Sequence, residues 1–362
     1  MEKYNVGWGL TNLCNMNCEF CYSKQTRKET SELTITDWKK FIDENYDKIQ
    51  TINYGTGENT ILDEFFEFIH YVRTNYPEIT QSLTTNGYLY ERVKNNKKLY
   101  DIYKSSIDEV DVSLDFADKE KHNKFRGGRF VYDWAINTLK MLNKDGKKST
   151  IVFVGFEETM KKENIDALFK IAKENNALLR LNIYRPVNKI KEVNDRYIVS
   201  YETLINTLEY IAENYSVVSL NDALFGNMYT DNKEEDNTGV NSIRILPNGD
   251  ICPSTYLISD DYRNKYNIKT SNVMDKIDFP NFKEPPIPEE CLKSNCSIVD
   301  ICKGGVYDRR LLWNNTLEKR DPYCPFENND TDQKEKIKTI KRERVSVHDG
   351  YLPTMFFKNK EN

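Results

Sequence analysis

The sequence predicts an α/β fold, a parallel sheet whose strands are joined by helices, with a small cysteine-rich module after it. Three observations predict it. Short apolar strands alternate with amphipathic helices six times over the first 214 residues, the pattern of parallel strands joined by right-handed crossovers. The residues able to do chemistry fall where those strands end, the edge at which parallel α/β folds bind ligands. The eight cysteines lie in two groups, three before residue 22 and five after residue 250. A disulfide scaffold would scatter them.

The elements read as follows. Residues 4–10 alternate as a strand through Tyr4, Val6, Trp8 and Leu10. Residues 36–50 form a helix capped by Thr34 or Thr36, with Trp38, Phe41, Ile42 and Tyr46 at helical spacing. Residues 51–54 are the second strand, ending in Gly55-Thr56-Gly57-Glu58, and 62–76 the second helix. Residues 81–84 are the third strand, ending at Asn86, followed by one helix over 88–104. Strand 109–115, helix 130–143, strand 149–155, helix 161–175, strand 177–184 and helix 201–214 complete the alternation.

Residues 219–245 read as a bridge carrying the acidic run 231–236, taken as solvated linker. A hairpin follows, two short strands about Leu246-Pro247-Asn248-Gly249-Asp250 and ending at Cys252. The expected domains are 1–218, 246–327 for the cysteine-rich module, and a polar tail over 328–362. That tail holds a charged helix over 333–344 and an unexplained apolar end over 351–357.

Bulk properties exclude some functions. A net charge of −5 lacks the basic face that nucleic acid needs. No run of 18 apolar residues is long enough to cross a membrane, and residues 1–10 lack a signal peptide. The chain is expected to be cytoplasmic, where cysteines are metal ligands more often than disulfides.

The chemistry centres on Cys14, Cys18 and Cys21, spaced C-x3-C-x2-C on the loop leaving the first strand. Thiolates are the ligands of iron–sulfur clusters, and four close a site. Three leave one iron open for chemistry, the logic that separates catalytic from structural zinc sites. Zinc would want a fourth ligand nearby, and the first histidine is His70.

This spacing after a first strand, with Phe20 before the third cysteine, resembles the radical S-adenosylmethionine (radical SAM) superfamily. The resemblance implies a partial, TIM-like (β/α)6 barrel, S-adenosylmethionine as cofactor and one catalytic [4Fe–4S] cluster on Cys14, Cys18 and Cys21. It implies that Gly55, Gly57 and Glu58 receive the methionine ammonium, although Thr56 stands where the family more often has glycine. It implies that Ser113 and Asp115 lie near the ribose and methionine, that Arg126 pairs with the cofactor carboxylate, and that Phe20 packs on the adenine side. Asn182 and Arg185 are expected on the substrate side.

Cys291-x4-Cys296-x5-Cys302 followed by Gly304-Gly305, with Cys324 beyond, resembles a SPASM domain, the C-terminal module of many peptide-modifying radical SAM enzymes. A full SPASM domain holds two auxiliary clusters. Here Val306 and residues 236–238 replace expected cysteines. The resemblance therefore implies one auxiliary [4Fe–4S] cluster, on Cys291, Cys296, Cys302 and Cys324, or zinc in the same four thiols. Cys252 is left over and is a candidate hydrogen-atom donor.

The expected reaction is reductive cleavage of the cofactor to a 5′-deoxyadenosyl radical, with an electron from a partner such as flavodoxin or ferredoxin. The radical takes hydrogen from a C–H bond of a ribosomal peptide or protein, giving epimerisation, a cross-link or oxidation. Because the first strand opens by residue 4, no N-terminal peptide-binding domain is expected. A small-molecule substrate, a sugar or nucleoside, is the alternative, and a non-enzymatic zinc-binding scaffold is the alternative from another class.

Overall fold

The structure is a computed structural model, and it describes residues 3–27, 33–263, 265–330, 337–340 and 345–360. Among the described residues ten strands form one sheet. They are β1 (Tyr4–Trp8), β2 (Ile49–Tyr54), β3 (Thr80–Thr85), β4 (Glu109–Ser113), β5 (Lys148–Gly155), β6 (Leu178–Ile183), β7 (Ser216–Asn221), β8 (Ser242–Ile245), β9 (Ile251–Cys252) and β10 (Thr354–Lys358). Their order is β7-β10-β6-β5-β4-β3-β2-β1-β8-β9. Strands β1 to β6 pair in parallel, each with the next. This is the predicted arrangement of six parallel strands, that of a partial barrel.

Each crossover helix buries one apolar face. Thr34 caps the first helix, Ile35–Asn45, and closes a capping box with Asp37. That helix turns Trp38, Phe41 and Ile42 inward. Trp8 of β1 meets Phe41 and Phe68 edge-to-face, at 5.2 and 5.3 Å between ring centres. The core thus lies between the strands and the outer helices.

Four differences from the sequence reading have physical causes. The expected helix over 88–104 is two, Tyr88–Val93 and Lys97–Ser106, because Asn96 accepts the Leu99 amide and starts a new helix. A helix over Lys119–Arg126 was not expected. Its signals are Asp118, which caps it, and Gly127 at φ +69°, which ends it. The hairpin forms, but β8 also pairs in parallel with β1 and so extends the main sheet.

The fourth difference is the largest. The apolar end of the chain is β10, inserted antiparallel between β6 and β7. Met355, Phe356 and Phe357 are buried on both sides of the sheet. Just before it, Tyr351 lies inside the barrel against β1, where a Cβ on Gly7 would meet the Tyr351 hydroxyl at 1.7 Å. His348 reaches Asp111 of β4 at 2.8 Å. Of the helix expected over 333–344, residues 337–340 instead run along β7, where Ile340 donates to the Val217 carbonyl at 2.9 Å. The rest of that segment lies outside the described residues.

Two buried ion pairs from consecutive residues join the cysteine-rich module to the barrel. In the helix Tyr307–Asn314, Asp308 accepts from Arg185 at 2.7 Å. Arg309 forks onto Asp222, just past β7, at 2.6 and 3.0 Å and donates to Asp321 at 2.7 Å. All five side chains are nearly or fully buried.

Candidate active site

The carboxyl ends of β1 to β6 open onto one cleft with about 990 Å³ of empty space. Period-two alternation aims every second residue of each strand into the barrel. Ser113 of β4, Val152 and Val154 of β5, and Arg180 and Asn182 of β6 reach the cleft in this way. The loop after β1 brings Cys14, Cys18 and Cys21 to its wall.

Cys21 lies within electrostatic reach of both Cys14 and Cys18. Burial, with the Glu58 carboxylate nearby, pushes Cys14 up to about 11, and burial also raises Cys18. As free thiols they stay protonated, so a metal must displace their protons to bind. Arg27 offsets the charge this creates: Nη2 stands 3.4 Å from Cys21 Sγ, while Nη1 donates to the Met16 carbonyl at 2.7 Å. Among the described residues no three Cys, His, Asp or Glu side chains converge on a single metal ion. All three thiols line the same cleft, and thiolate is the ligand that iron–sulfur clusters take.

Gly57 takes φ +61°, and its hydrogen faces the Leu13 and Thr11 carbonyls, where a Cβ would lie 2.4 and 2.7 Å away. Only glycine fits there. Thr56 also lies at positive φ, +82°, a genuine strain for a β-branched residue. It lines the cleft, and its hydroxyl meets that of Tyr22 at 3.3 Å. A left-handed conformation costs an L residue about 1–2 kcal/mol. Thr56→Gly is therefore expected to be more stable than Thr56→Ala by about 1 kcal/mol in urea unfolding. Equal stabilities would show that this backbone carries no cost.

Glu58 does not face the cleft. Its buried carboxylate accepts from Thr60 at 2.6 Å, from Thr85 at 2.9 Å and from the Asn86 amide at 2.8 Å. Burial raises its pKa against those bonds. It ties the loop after β2 to the end of β3, and this leaves Thr56, Gly57 and Asn86 as the lining groups there. Asp115 is likewise turned inward. It accepts from Arg126 Nε at 2.6 Å and from the Val154 amide at 2.9 Å. Arg126 lines the cleft with Asp115 behind it, and His122, pushed down to about 4 by burial, is neutral beside that carboxylate. Phe20 stacks on Phe125 at 4.3 Å and carries the Arg126 guanidinium over its face at 5.1 Å. Arg185 and Asn182 both line the cleft. The sequence reading missed Arg180 and Tyr256, which also line it.

Cys252 does not line the cleft. It is fully buried between Leu246 and Ile258, with Tyr22 packed against them, and burial pushes it up to about 12. This placement gives a hydrogen-atom-donor role no geometric support. Cys291, Cys296, Cys302 and Cys324 do come together around a smaller apolar cavity, with Arg320 beside Cys291 and Cys324. Lys303, Gly304 and Gly305 turn the chain at φ +50°, +95° and +99°. The turn places the Gly305 backbone against Asp321, where a Cβ would lie 2.4 Å away. At the positions where a second set of cysteines is missing, direct contacts fill the space. Asp236 accepts the Tyr307 amide at 2.8 Å, and Val306 is fully buried.

Residues 8–171 match the family described as the Radical SAM superfamily. The chain is 24% identical over 342 residues to the mycofactocin maturase MftC of Mycolicibacterium smegmatis, covering 88% of this chain and 81% of that protein. Among solved structures it resembles SuiB of Streptococcus suis bound to S-adenosylmethionine, at a TM-score of 0.68 and 20% identity, over 89% of this chain and 77% of that one. It also resembles anSMEcpe bound to AdoMet and the Cp18Cys peptide, at a TM-score of 0.67 and 18% identity, over 90% and 95%. The stretch that matches the Radical SAM superfamily, residues 8–171, is the one that carries the three cysteines at C-x3-C-x2-C on the loop after β1 and strands β2 to β5 of the parallel sheet.

Proposed function

We propose that the chain reductively cleaves S-adenosylmethionine and uses the resulting radical to modify a ribosomally made peptide. The observation that carries the reading is the cleft itself. Cys14, Cys18 and Cys21 line it together with Gly57 after β2, Ser113 at the end of β4 and Arg126 at the end of the helix Lys119–Arg126. When bound, a four-iron cluster with one open iron supplies the electron that splits the cofactor into methionine and a 5′-deoxyadenosyl radical, and the radical takes a hydrogen atom from a substrate C–H bond. That electron comes from a low-potential partner of the flavodoxin or ferredoxin kind.

The chain's own residues position and shield. The backbone of Thr56 and Gly57 receives the cofactor's ammonium. Arg126, oriented by Asp115, offers its outer edge to the carboxylate, a match for its planar fork. Phe20, braced by Phe125, closes the adenine side. Arg27 balances the thiolate charge next to Cys21. The four cysteines of the C-terminal module hold a single auxiliary cluster, fully ligated and so closed to substrate. The eight free cysteines fit a reducing, cytoplasmic compartment. The peptide assignment is supported by the likeness to a maturase over most of both chains and by the fold shared with SuiB, which has been solved bound to its precursor peptide SuiA.

Iron and sulfide counts after anaerobic reconstitution test the reading. About eight irons and eight sulfides per chain are expected, two clusters of the four-iron kind. Cys302→Ala is expected to lose about four of each and to keep cofactor binding. Stoichiometric zinc without sulfide would refute the enzyme.

A further inference from the structure

Arg244 on β8 is 1% exposed, yet among the described residues it pairs with no carboxylate. Burying a guanidinium without an anion is costly. Its Nη2 donates to the Gly55 carbonyl at 2.6 Å and its Nη1 to the Tyr351 hydroxyl at 3.3 Å. Tyr351, just before β10, also bonds the Thr255 hydroxyl. One buried side chain thus joins the end of the chain to the loop after β2. Strand β1 leaves room for it: a Cβ on Gly9 would meet Thr56 Cβ at 2.6 Å and Arg244 Nη2 at 3.1 Å.

The bond at Gly55 falls next to the strained residue. Turning over the Gly55–Thr56 peptide would carry φ of Thr56 from +82° to about −100°, a value every L residue adopts freely. Gly55 itself tolerates either orientation. A strained backbone persists only where its surroundings over-determine it. Arg244 supplies such a hold, a charge-assisted bond to the carbonyl that the flip would move. The Tyr22 hydroxyl, 3.3 Å from that of Thr56, holds the side chain and not the peptide.

We infer that Arg244 is a positioning residue for the cofactor. It clamps the Gly55–Thr56 peptide in the strained orientation that presents the backbone of Thr56 and Gly57 to the cleft, and Tyr351 steadies it from the end of the chain. The inference rests on the proposed function and adds to it a residue that does not line the cleft.

The test is a cycle of substitutions at 244 and 56 with two readouts. Arg244→Met leaves no orphaned carboxylate and is expected to fold. In the anaerobically reconstituted full chain, calorimetry is expected to find S-adenosylmethionine bound about ten-fold more weakly by Arg244→Met, because the flipped, relaxed loop becomes the major form. Arg244→Met with Thr56→Gly is expected to bind within about three-fold of Thr56→Gly alone, since glycine has no strain to relieve. The second readout needs no cofactor. In urea unfolding, the advantage of glycine over alanine at 56 is expected to vanish once Arg244→Met is present. Unchanged binding by Arg244→Met, or additive effects of the two positions in either readout, overturns the inference. If Arg244→Met does not fold, Arg244→Gln, whose shorter side chain stops before Gly55, carries the same cycle. Failure of both to fold overturns the inference in favour of a purely structural arginine. Cofactor binding and 5′-deoxyadenosine formation by wild type are measured alongside. Their absence sinks the proposed function, while the unfolding cycle still judges the clamp.

Discussion

Cys18→Ala is expected to abolish 5′-deoxyadenosine formation under dithionite, to below about one part in a thousand of wild type. Cys18 is the middle thiol of the loop after β1. A cluster anchored by two thiolates loses both a ligand and the geometry that leaves one iron open to the cofactor. The fold should survive. Cys18 packs in a small group with Met16, Phe20 and Phe116, apart from the main core, and its thiol donates to the Arg126 carbonyl at 3.4 Å. Losing one buried sulfur there should cost about 1–2 kcal/mol, against the 3–5 of an aromatic core truncation. A circular dichroism melt close to wild type, with iron reduced by about half, would accompany the lost product. Continued 5′-deoxyadenosine formation by the folded variant would refute the assignment of the open cluster to these cysteines.

Arg309→Ala is expected to have the largest effect on stability, about 3–5 kcal/mol. The side chain is fully buried and neutralises Asp222 and Asp321, both buried with it. Burial raises Asp321 even with Arg309 in place, whereas the bidentate fork holds Asp222 below the usual carboxylate range. Truncation leaves two carboxylates facing each other without a counter-ion. Asp222 lies just past β7 and Asp321 in the cysteine-rich module, so the break falls on the junction between them. Urea unfolding followed by tryptophan fluorescence should show the loss, with Trp313, packed on Tyr323, reporting on the module. A loss under about 1 kcal/mol would mean that the module is held by its apolar contacts instead.

The six parallel strands were legible because buried parallel strands are short apolar runs, and glycine, asparagine or aspartate marks where the first five end, Arg185-Pro186 where the sixth does. The cysteine loop was legible because its spacing is a local property. The elements that were missed depend on distant partners. The run from Thr354 to Lys358 satisfies strand preferences, but nothing local says that it inserts between strands more than 130 residues earlier. Glu58 and Asp115 stood at the right strand ends, yet their rotamers turn to Thr85 and Arg126, a choice that sequence spacing does not encode. Cys252 follows a turn as expected, but Tyr22 stands between it and the cleft. The alternation Leu179-Arg180-Leu181-Asn182 did hold a signal for Arg180: an arginine on the inward face of a barrel strand, two residues before an asparagine already singled out.

The seating of β10 between β6 and β7 bears on how the protein is made. A ribosome delivers residues in order, and domains begin to fold as they emerge. Strands β1 to β6 can pair while later segments are still being synthesised, but β6 and β7 keep facing edges open until residue 358 is out. Open edges invite pairing with other chains. During the same interval Tyr351 and His348 have not yet filled the barrel, so its interior is more accessible than it will ever be again. The nascent chain therefore passes through a window in which iron–sulfur delivery and chaperone protection are both at their most useful, and the arrival of the last strand closes it.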